Sequence, residues 1–193
     1  MDTVTRQFSM NTPLDVEFRY ENEPLLWAID DVYSQEECRV FIKKIESSEP
    51  TLATNNPTFR DQDRVMLDVP EIADDLFNRI KDNLPKRMGE FELLGLNERL
   101  RFYRYRTGQG FSAHMDHWYQ ANDTDISLLT VLVYFNNDFA GGQTRFMEQI
   151  DKVVEPEPGK VAIFQHKLRH EGCIVSSGVK YALRADVMYR KTR

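Results

Sequence analysis

Four residues in the C-terminal half of the chain have the types and spacing of a metal site with an adjacent cation. His114 and Asp116 are two positions apart, His170 follows on a distant segment, and Lys180 comes ten residues later. Two imidazoles and one carboxylate form the facial triad that holds Fe(II) in non-haem iron sites and leaves coordination positions open. A lysine can neutralise a bound dicarboxylate, which is costly to bury unpaired. These residues predict an iron site that works with a dicarboxylate.

The two remaining histidines leave alternatives open. His117 follows Asp116 directly and points away from a metal held by its neighbours if the segment is extended. His166 precedes His170 by four positions, a spacing that suits a zinc pair on a helix, although the glutamate of that motif is missing. His166 is therefore an alternative second ligand. A zinc hydrolase that uses both histidines is a competing interpretation, but it does not explain Lys180.

Composition indicates a globular protein of one domain and argues against two functional classes. The chain has 193 residues, of which 41% are apolar and 29% are charged. Its net charge of −6 argues against a nucleic-acid binder, and no segment is long and apolar enough to span a membrane. Cys38 and Cys173 cannot form a disulfide framework, so we expect a cytoplasmic location. Composition does not predict the oligomeric state.

Helical patterns occupy the first half of the chain. A capping box at Ser34 begins one helix. A second helix is predicted to start near Asp68, with Pro70 in its first turn and Glu71 as its capping partner. We therefore expect residues 1–96 to form a helix-rich support.

After residue 96 the pattern changes to short strands that are separated by Gly, Asn and Pro turn signals. The predicted strands are Arg99–Arg106, Ser127–Phe135, Gln143–Met147, Lys152–Val154, Lys160–Gln165, Cys173–Val175 and Lys180–Arg190, besides an isolated one at Leu14–Tyr20. Many short strands with turns indicate a jelly roll. We predict a mainly β, α+β fold: a single domain over residues 1–193, with the N-terminal helices packed on one sheet of a cupin-like double-stranded β-helix (residues 97–193) that carries the metal site.

The last predicted strand has one apolar and one charged face. Tyr181 and Leu183 begin the apolar face, whereas Lys180, Arg184 and Asp186 share the other. The charged face looks either into a polar, ligand-holding lumen or into solvent. Arg184 is the alternative cation for the dicarboxylate, unless it pairs with Asp186 or holds a substrate carboxylate.

Taken together, the motifs in this half resemble the 2-oxoglutarate/Fe(II)-dependent dioxygenase superfamily, and within it the prolyl 4-hydroxylase-like branch. The similarity covers roughly residues 99–190. The motifs are YRTGQGFSAHMD (residues 105–116), LVYFN (132–136), GGQTRF (141–146), and His170 and Lys180 at the family's ten-residue interval.

This resemblance implies a reaction and a role for six residues. Fe(II) is bound by His114, Asp116 and His170, and the distal carboxylate of 2-oxoglutarate is bound by Lys180, Thr144 and the Tyr105 hydroxyl. The implied reaction consumes O2, hydroxylates an unactivated C–H bond and releases succinate and CO2, with ascorbate as a supporting reductant.

Substrate identity is not implied by the resemblance. Prolyl hydroxylases that act on peptides carry other residues where this chain has Phe111, Ser127, Asp186 and Met188. We therefore expect the substrate to be a small polar molecule, an amino acid or a protein side chain. The alternative function is a non-catalytic, cupin-like protein that binds or senses the metal and 2-oxoglutarate.

Four further residues are candidate substrate contacts. Arg60 and Arg64 lie in a polar stretch between the predicted helices, where they either form a lid over the site or are solvated. Trp118 and Tyr119 follow the first two metal ligands, where they either wall the pocket or pack the next loop.

Overall fold

The computed structural model of the chain describes residues 20–53 and 59–192. The strand predicted at Leu14–Tyr20 therefore falls almost entirely outside the described residues. The elements are, in chain order, β1 (Leu26–Ile29), α1 (Gln35–Ser47), β2 (Thr51–Leu52), β3 (Asp63–Asp68), α2 (Pro70–Ile80), a 3-10 turn (Lys81–Asn83), β4 (Arg87–Met88), β5 (Phe91–Leu96), β6 (Arg99–Arg106), β7 (Phe111–His114), β8 (Asp125–Tyr134), β9 (Ala140–Gly141), β10 (Thr144–Phe146), β11 (Lys152–Val154), β12 (Val161–Gln165), β13 (His170–Gly172), β14 (Val175–Ser177) and β15 (Val179–Lys191).

Antiparallel sheets dominate the described residues. The larger sheet has nine strands, in the order β1-β12-β8-β15-β6-β3-β2, with β5 also paired to β15 and β4 to β5. The smaller sheet has the order β11-β10-β13-β7, and β14 pairs with β9. This mainly β architecture with two α-helices confirms the predicted jelly roll.

Helix α1 begins as predicted, and helix α2 does not. The Ser34 hydroxyl accepts from the backbone N–H of Glu37, and the Glu37 side chain accepts from the backbone N–H of Ser34, which completes the capping box. Helix α2 has Pro70 in its first turn, but Val69 is its N-cap and no side chain caps it. Asp68 instead ends β3 in an ion pair with Arg99, so the predicted start near Asp68 and the capping role of Glu71 are wrong. No helix of the described residues is long and apolar enough to cross a membrane.

The predicted helix-rich support over residues 1–96 needs correction. Five strands accompany the two helices among its described residues, and β3 and β5 extend the larger sheet by pairing with β6 and β15. These strands were missed because they lie near the sheet edge, where exposed apolar side chains such as Met66 and Leu94 blur the alternation of buried and exposed residues.

The two faces of β15 confirm the predicted parity. Leu183, Val187 and their neighbours on one face are buried in a core that includes Ile45 of α1 and Leu76 of α2. On the other face, Lys180 and Arg184 line a cavity between the two sheets. The sheet therefore separates the helix-packed core from a cavity lined by polar side chains.

Candidate metal centre

Two paired strands bring the three predicted metal ligands together. His114 ends β7 and His170 begins β13, and the two residues are direct partners in the antiparallel ladder. Asp116 follows two residues after His114, with its carboxylate oxygens 3.7 Å from Nε2 of His114 and 3.9 Å from Nε2 of His170. One donor atom from each residue lies within 4.8 Å of the others, so the three could hold a metal ion.

Hydrogen bonds aim both imidazoles at the centre of this cluster. Nδ1 of His114 lies 2.8 Å from the carbonyl oxygen of Ser112, and Nδ1 of His170 lies 2.9 Å from that of Leu168. A carbonyl oxygen only accepts, so each Nδ1 carries the hydrogen and each Nε2 keeps its lone pair for a metal. Burial and the adjacent His170 lower the pKa of His114 to about 4. Two neutral imidazoles and one carboxylate fit Fe(II).

Asp116 stays ionised in spite of its burial. Burial alone raises the pKa of a carboxyl group, but Nη2 of Arg184 lies 3.3 Å from Oδ1, and this charge and the nearby imidazoles hold the pKa of Asp116 well below its ordinary value. The cluster therefore offers a negative ligand at neutral pH.

A chain of hydrogen bonds with a single direction holds the second oxygen of Asp116. The Thr130 hydroxyl donates to Oδ2 at 2.6 Å, so it must accept from Nδ1 of His166, at 2.8 Å. Nε2 of His166 then accepts from the Ser127 hydroxyl, at 2.9 Å, and this hydroxyl accepts from the backbone N–H of Tyr119. Every donor and acceptor along this chain is used, and all four side chains are buried.

His166 is therefore not a metal ligand, because hydroxyl groups engage both of its ring nitrogens. The alternative that made it the second ligand is wrong. The zinc pair is wrong too, since the segment from His166 to His170 is a turn that enters β13 and not a helix. Thr130, which holds Asp116, is not among the site residues predicted from the sequence. Its only signal is its parity with Leu132, which also lines the cavity.

Lys180 is enclosed at the other end of the cavity. Its ammonium group donates to the carbonyl oxygen of Gly142 at 2.6 Å and lies 5.1 and 5.3 Å from the ring centroids of Tyr105 and Tyr134. Only 2% of the residue is exposed, and no carboxylate of the described residues forms an ion pair with it. Burial lowers the pKa of Lys180 to about 8. The site thus holds a cation that lacks an anion.

Thr144 and Tyr105 lie beside this cation. Tyr105 is the direct partner of Lys180 in the pairing of β6 with β15. Thr144, on β10, lines the same cavity and accepts a hydrogen bond of 2.8 Å from the Tyr134 hydroxyl. Tyr134 is not among the predicted site residues either, although its position four residues after Thr130 places it on the cavity face of β8.

The candidate substrate contacts are only partly brought together. Arg60 packs its guanidinium 4.0 Å from the ring centroid of Phe111, which lines the cavity. Arg64 belongs to strand β3 and is therefore not part of a lid. Trp118 and Tyr119 are about half exposed, and neither lines the cavity.

Comparison with known proteins identifies related folds and a family. No curated protein sequence matches the chain. Solved structures that resemble it include the viral collagen prolyl hydroxylase of Paramecium Bursaria Chlorella virus-1, at 22% identity over 86% of this chain and 97% of that chain, with a TM-score of 0.68. A Pseudomonas putida prolyl-4-hydroxylase (17% identity, 86% and 92% coverage, TM-score 0.63) and a Trichoplax adhaerens prolyl hydroxylase (19%, 86% and 84%, 0.64) share the fold.

The family match falls on the jelly roll. Residues 100–185, a little under half of the chain, match the family model of the 2OG-Fe(II) oxygenase superfamily, where 2OG is 2-oxoglutarate. The matched segment includes the whole His–Asp–His cluster and Lys180. This segment of the chain is similar to the 2OG-Fe(II) oxygenase superfamily.

Proposed function

We propose that this chain hydroxylates an unactivated C–H bond and releases succinate and CO2 as coproducts. The family that residues 100–185 match uses Fe(II) and 2-oxoglutarate, and the proposal assigns the same metal and cosubstrate to this chain. The observation that carries the proposal is one cavity that is lined both by the His–Asp–His cluster and by the buried Lys180. A dicarboxylate held by the metal needs a cation at its far end, because a buried carboxylate is costly without one.

Iron binding is assigned to His114, Asp116 and His170. When bound, iron activates O2 for the oxidative decarboxylation of 2-oxoglutarate and the hydroxylation that follows. The chain itself presents two Nε2 lone pairs, keeps the Asp116 carboxylate ionised and fixes its orientation through Thr130. Asp116 and His170 are at most 6% exposed, which limits the access of water to the site.

Binding of the distal carboxylate of 2-oxoglutarate is assigned to Lys180, Thr144 and Tyr105. Thr144 accepts from Tyr134, so its own hydroxyl hydrogen is available to a carboxylate. Burial raises the pKa of Tyr105, so its hydroxyl stays protonated and can donate. Lys180 uses one of its three N–H groups on Gly142 and keeps two for a ligand.

We propose a small polar molecule, an amino acid or a protein side chain as the substrate. One relative was solved with a hypoxia-inducible-factor peptide fragment, which favours a protein side chain. Two positions that flank the peptide in prolyl hydroxylases serve other purposes here: Ser127 is part of the hydrogen-bond chain to Asp116, and Asp186 pairs with Arg101 and Arg184. These contacts do not favour peptidyl proline.

A cytoplasmic location, the single domain and ascorbate as a supporting reductant belong to the same proposal.

Succinate formation tests the proposal. The full chain, purified without oxygen, is mixed with Fe(II) and 2-oxoglutarate, O2 is admitted, and succinate is followed, including slow turnover without substrate. We expect His114→Ala and Asp116→Ala to lower the rate by more than about 100-fold, because loss of even an outer partner of a metal site costs roughly 10- to 100-fold. His117→Ala is the matched control, since this exposed neighbour of Asp116 is outside the cluster.

Two outcomes contradict the assignment. A visible absorption band that forms on anaerobic binding of Fe(II) and 2-oxoglutarate and persists in His114→Ala refutes the ligand set. A wild-type chain that binds both molecules but forms no succinate, with or without any amino acid or peptide tested, is instead the non-catalytic sensor.

A further inference from the structure

Four arginines gather on the cavity face of the larger sheet, and we call them the arginine cluster: Arg60, Arg64, Arg101 and Arg184. Arg101 is the direct partner of Arg184 in the pairing of β6 with β15, and Arg64 is the direct partner of Tyr103 in the pairing of β3 with β6. Directly paired residues share one face of a sheet. Because Tyr103 and Arg184 line the cavity, Arg64 and Arg101 face the same side.

Arg60 joins the cluster from the segment before β3. It forms an isolated antiparallel bridge with Phe111, and its guanidinium stacks on the ring of that residue. The Phe111 ring also stacks on the imidazole of His114, with the two ring centroids 3.6 Å apart. Burial, together with the charges of Arg64 and Arg184, lowers the pKa of Arg60. The cluster therefore adjoins the metal ligands.

The carboxylates of the described residues do not neutralise the positive charge of the arginine cluster. Asp186 is 1% exposed and accepts from Arg101 at 2.8 Å and from Arg184 at 3.0 Å, so one negative charge serves two positive ones. Arg60 and Arg64 form no ion pair with any described residue. Asp116 is close to Arg184, but the proposed function assigns its charge to the metal ion. An excess of positive charge remains beside the metal.

Two donors of the cluster are buried without an acceptor. Nε of Arg60 and Nε of Arg184 have no hydrogen-bond partner among the described residues. An unpaired buried donor costs on the order of 1–3 kcal/mol, and more when the group is charged. A guanidinium offers Nε and Nη as a planar fork that matches the two oxygens of a carboxylate. The orphaned donors therefore point to a missing anionic ligand.

This anion is not the distal carboxylate of 2-oxoglutarate. Lys180 and Arg184 are four residues apart on the same face of β15, which separates their Cα atoms by about 13 Å. A carboxylate held by Lys180 and Thr144 therefore leaves the arginine cluster open. The second site needs a second anion.

We propose that the substrate carries a carboxylate group, and that Arg184 and Arg60 bind this group beside the metal. The inference rests on the proposed function and narrows its substrate class. The carboxylate belongs either to a free amino acid or to an acidic side chain of a peptide, and the two sources are separate arms of one experiment.

Matched acids and amides test the inference. The first arm compares the twenty free amino acids with their carboxamides. The second arm compares pooled, end-capped peptides that contain one Asp with the same pool containing Asn. Each probe is added to the anaerobic full chain with Fe(II) and 2-oxoglutarate, and binding is read from the change in the visible absorption band. We expect at least one acid to bind roughly 10- to 100-fold more tightly than its amide, the value of a charged hydrogen bond.

Variants of the two arginines test whether these residues cause the preference for acids over amides. Arg184→Gln and Arg60→Gln should each weaken acid binding about 10-fold or more and leave amide binding unchanged. Arg184→Lys keeps the charge but loses the planar fork of donors. Its affinity for acids should therefore lie between those of Arg184→Gln and the wild type. Arg39→Gln, on the exposed surface of α1, is the control that changes net charge alone. Arg60→Gln keeps the test decisive if Arg184→Gln does not fold.

Three results overturn the inference. They are equal binding of acids and amides in both arms, an acid preference that survives in both Gln variants, and tighter binding of phosphoserine-containing peptides than of either carboxylate set. Succinate formed without substrate reports on the proposed function separately. A chain that forms succinate but ignores carboxylates refutes only the inference about the substrate.

Discussion

Lys180 is buried in surroundings that are unusual for a lysine. Two aromatic rings and one carbonyl oxygen surround its ammonium group, which is cut off from solvent. Burial disfavours the charged form, which lowers the pKa of Lys180 to about 8. A bound carboxylate favours the charged form and raises this pKa again, so binding and protonation are coupled.

The affinity for 2-oxoglutarate should therefore depend on pH. Below pH 8 the ammonium of the free protein is charged and binding is at full strength. As pH rises through 8, binding must also take up a proton, so the dissociation constant should increase about 10-fold from pH 7 to pH 9. Calorimetric titration of the Mn(II)-loaded full chain at several pH values measures this increase.

Lys180→Arg is the matched variant, because arginine stays charged throughout this range. Its dissociation constant should not vary between pH 7 and pH 9, whatever its absolute value. An equal pH dependence in Lys180→Arg assigns the effect to another group and contradicts the role of Lys180.

Residue types and spacing were enough to single out His114, His170 and Lys180, which the structure places around one cavity. They were not enough for Thr130 or Tyr134. A hydroxyl becomes a partner of Asp116 or Thr144 only through the pairing of distant strands, and neither its type nor its local sequence reports that pairing.

At the scale of elements, β8 links the sheet to the candidate metal centre through the side chains of Thr130 and Ser127. Thr130 donates to Asp116 and accepts from His166, which is held in turn by Ser127 at the start of the same strand. The direction of these hydrogen bonds is fixed at both ends, by a carboxylate that only accepts and a backbone N–H that only donates. The substitution Thr130→Val removes the hydroxyl that joins Asp116 to His166.

Thr130→Val should lower the affinity for Fe(II) by roughly 10- to 100-fold, as the loss of outer partners does in other metal sites. Mn(II) or Fe(II) titration under anaerobic conditions measures the change, and the thermal unfolding midpoint shows whether the fold survives. Thr51→Val, at an exposed position of β2, makes the same substitution away from the site and should leave the affinity unchanged. An unchanged affinity in Thr130→Val shows that the chain of hydrogen bonds does not support the metal.

Elements were predictable where local sequence decides them. The capping box of α1 and strand β6 match the structure to the residue, because turn residues and alternation specify them. The start of α2 was misplaced because Asp68 has two possible partners. It can cap a helix in the sequence, but pairing with β6 gives it Arg99 instead.

At the scale of the whole molecule, one glycine connects the start of the described chain to the jelly roll. Gly159 adopts a φ of +80°, and its carbonyl accepts from Val32 while its N–H donates to the carbonyl of Tyr134. A Cβ atom at this position would lie 1.8 Å from the backbone oxygen of Tyr33. The segment before α1 and the end of β8 therefore meet where only glycine fits.

Gly159→Ala should lower the free energy of unfolding by at least about 2 kcal/mol, because it combines a left-handed backbone with a backbone clash. For a chain of this size, the midpoint of thermal unfolding should fall by about 4 °C or more. Gly95→Ala is the control, since a Cβ atom there meets nothing within 4 Å and the backbone is not left-handed. Equal midpoints for the two variants contradict the role of Gly159.

Of the two arginines proposed to bind the substrate, Arg60 lies outside the segment that carries the metal and 2-oxoglutarate residues. The residues assigned to the metal and to 2-oxoglutarate all lie within 100–185, whereas Arg60 belongs to a short stretch outside it. That stretch is fastened to the rim of the site by hydrogen bonds from Ser112 to Phe59 and from Gly110 and Gln109 to Asp61. Under the proposed function, replacing or randomising this stretch should change which substrates are accepted. The residues assigned to the metal and to 2-oxoglutarate would stay unchanged.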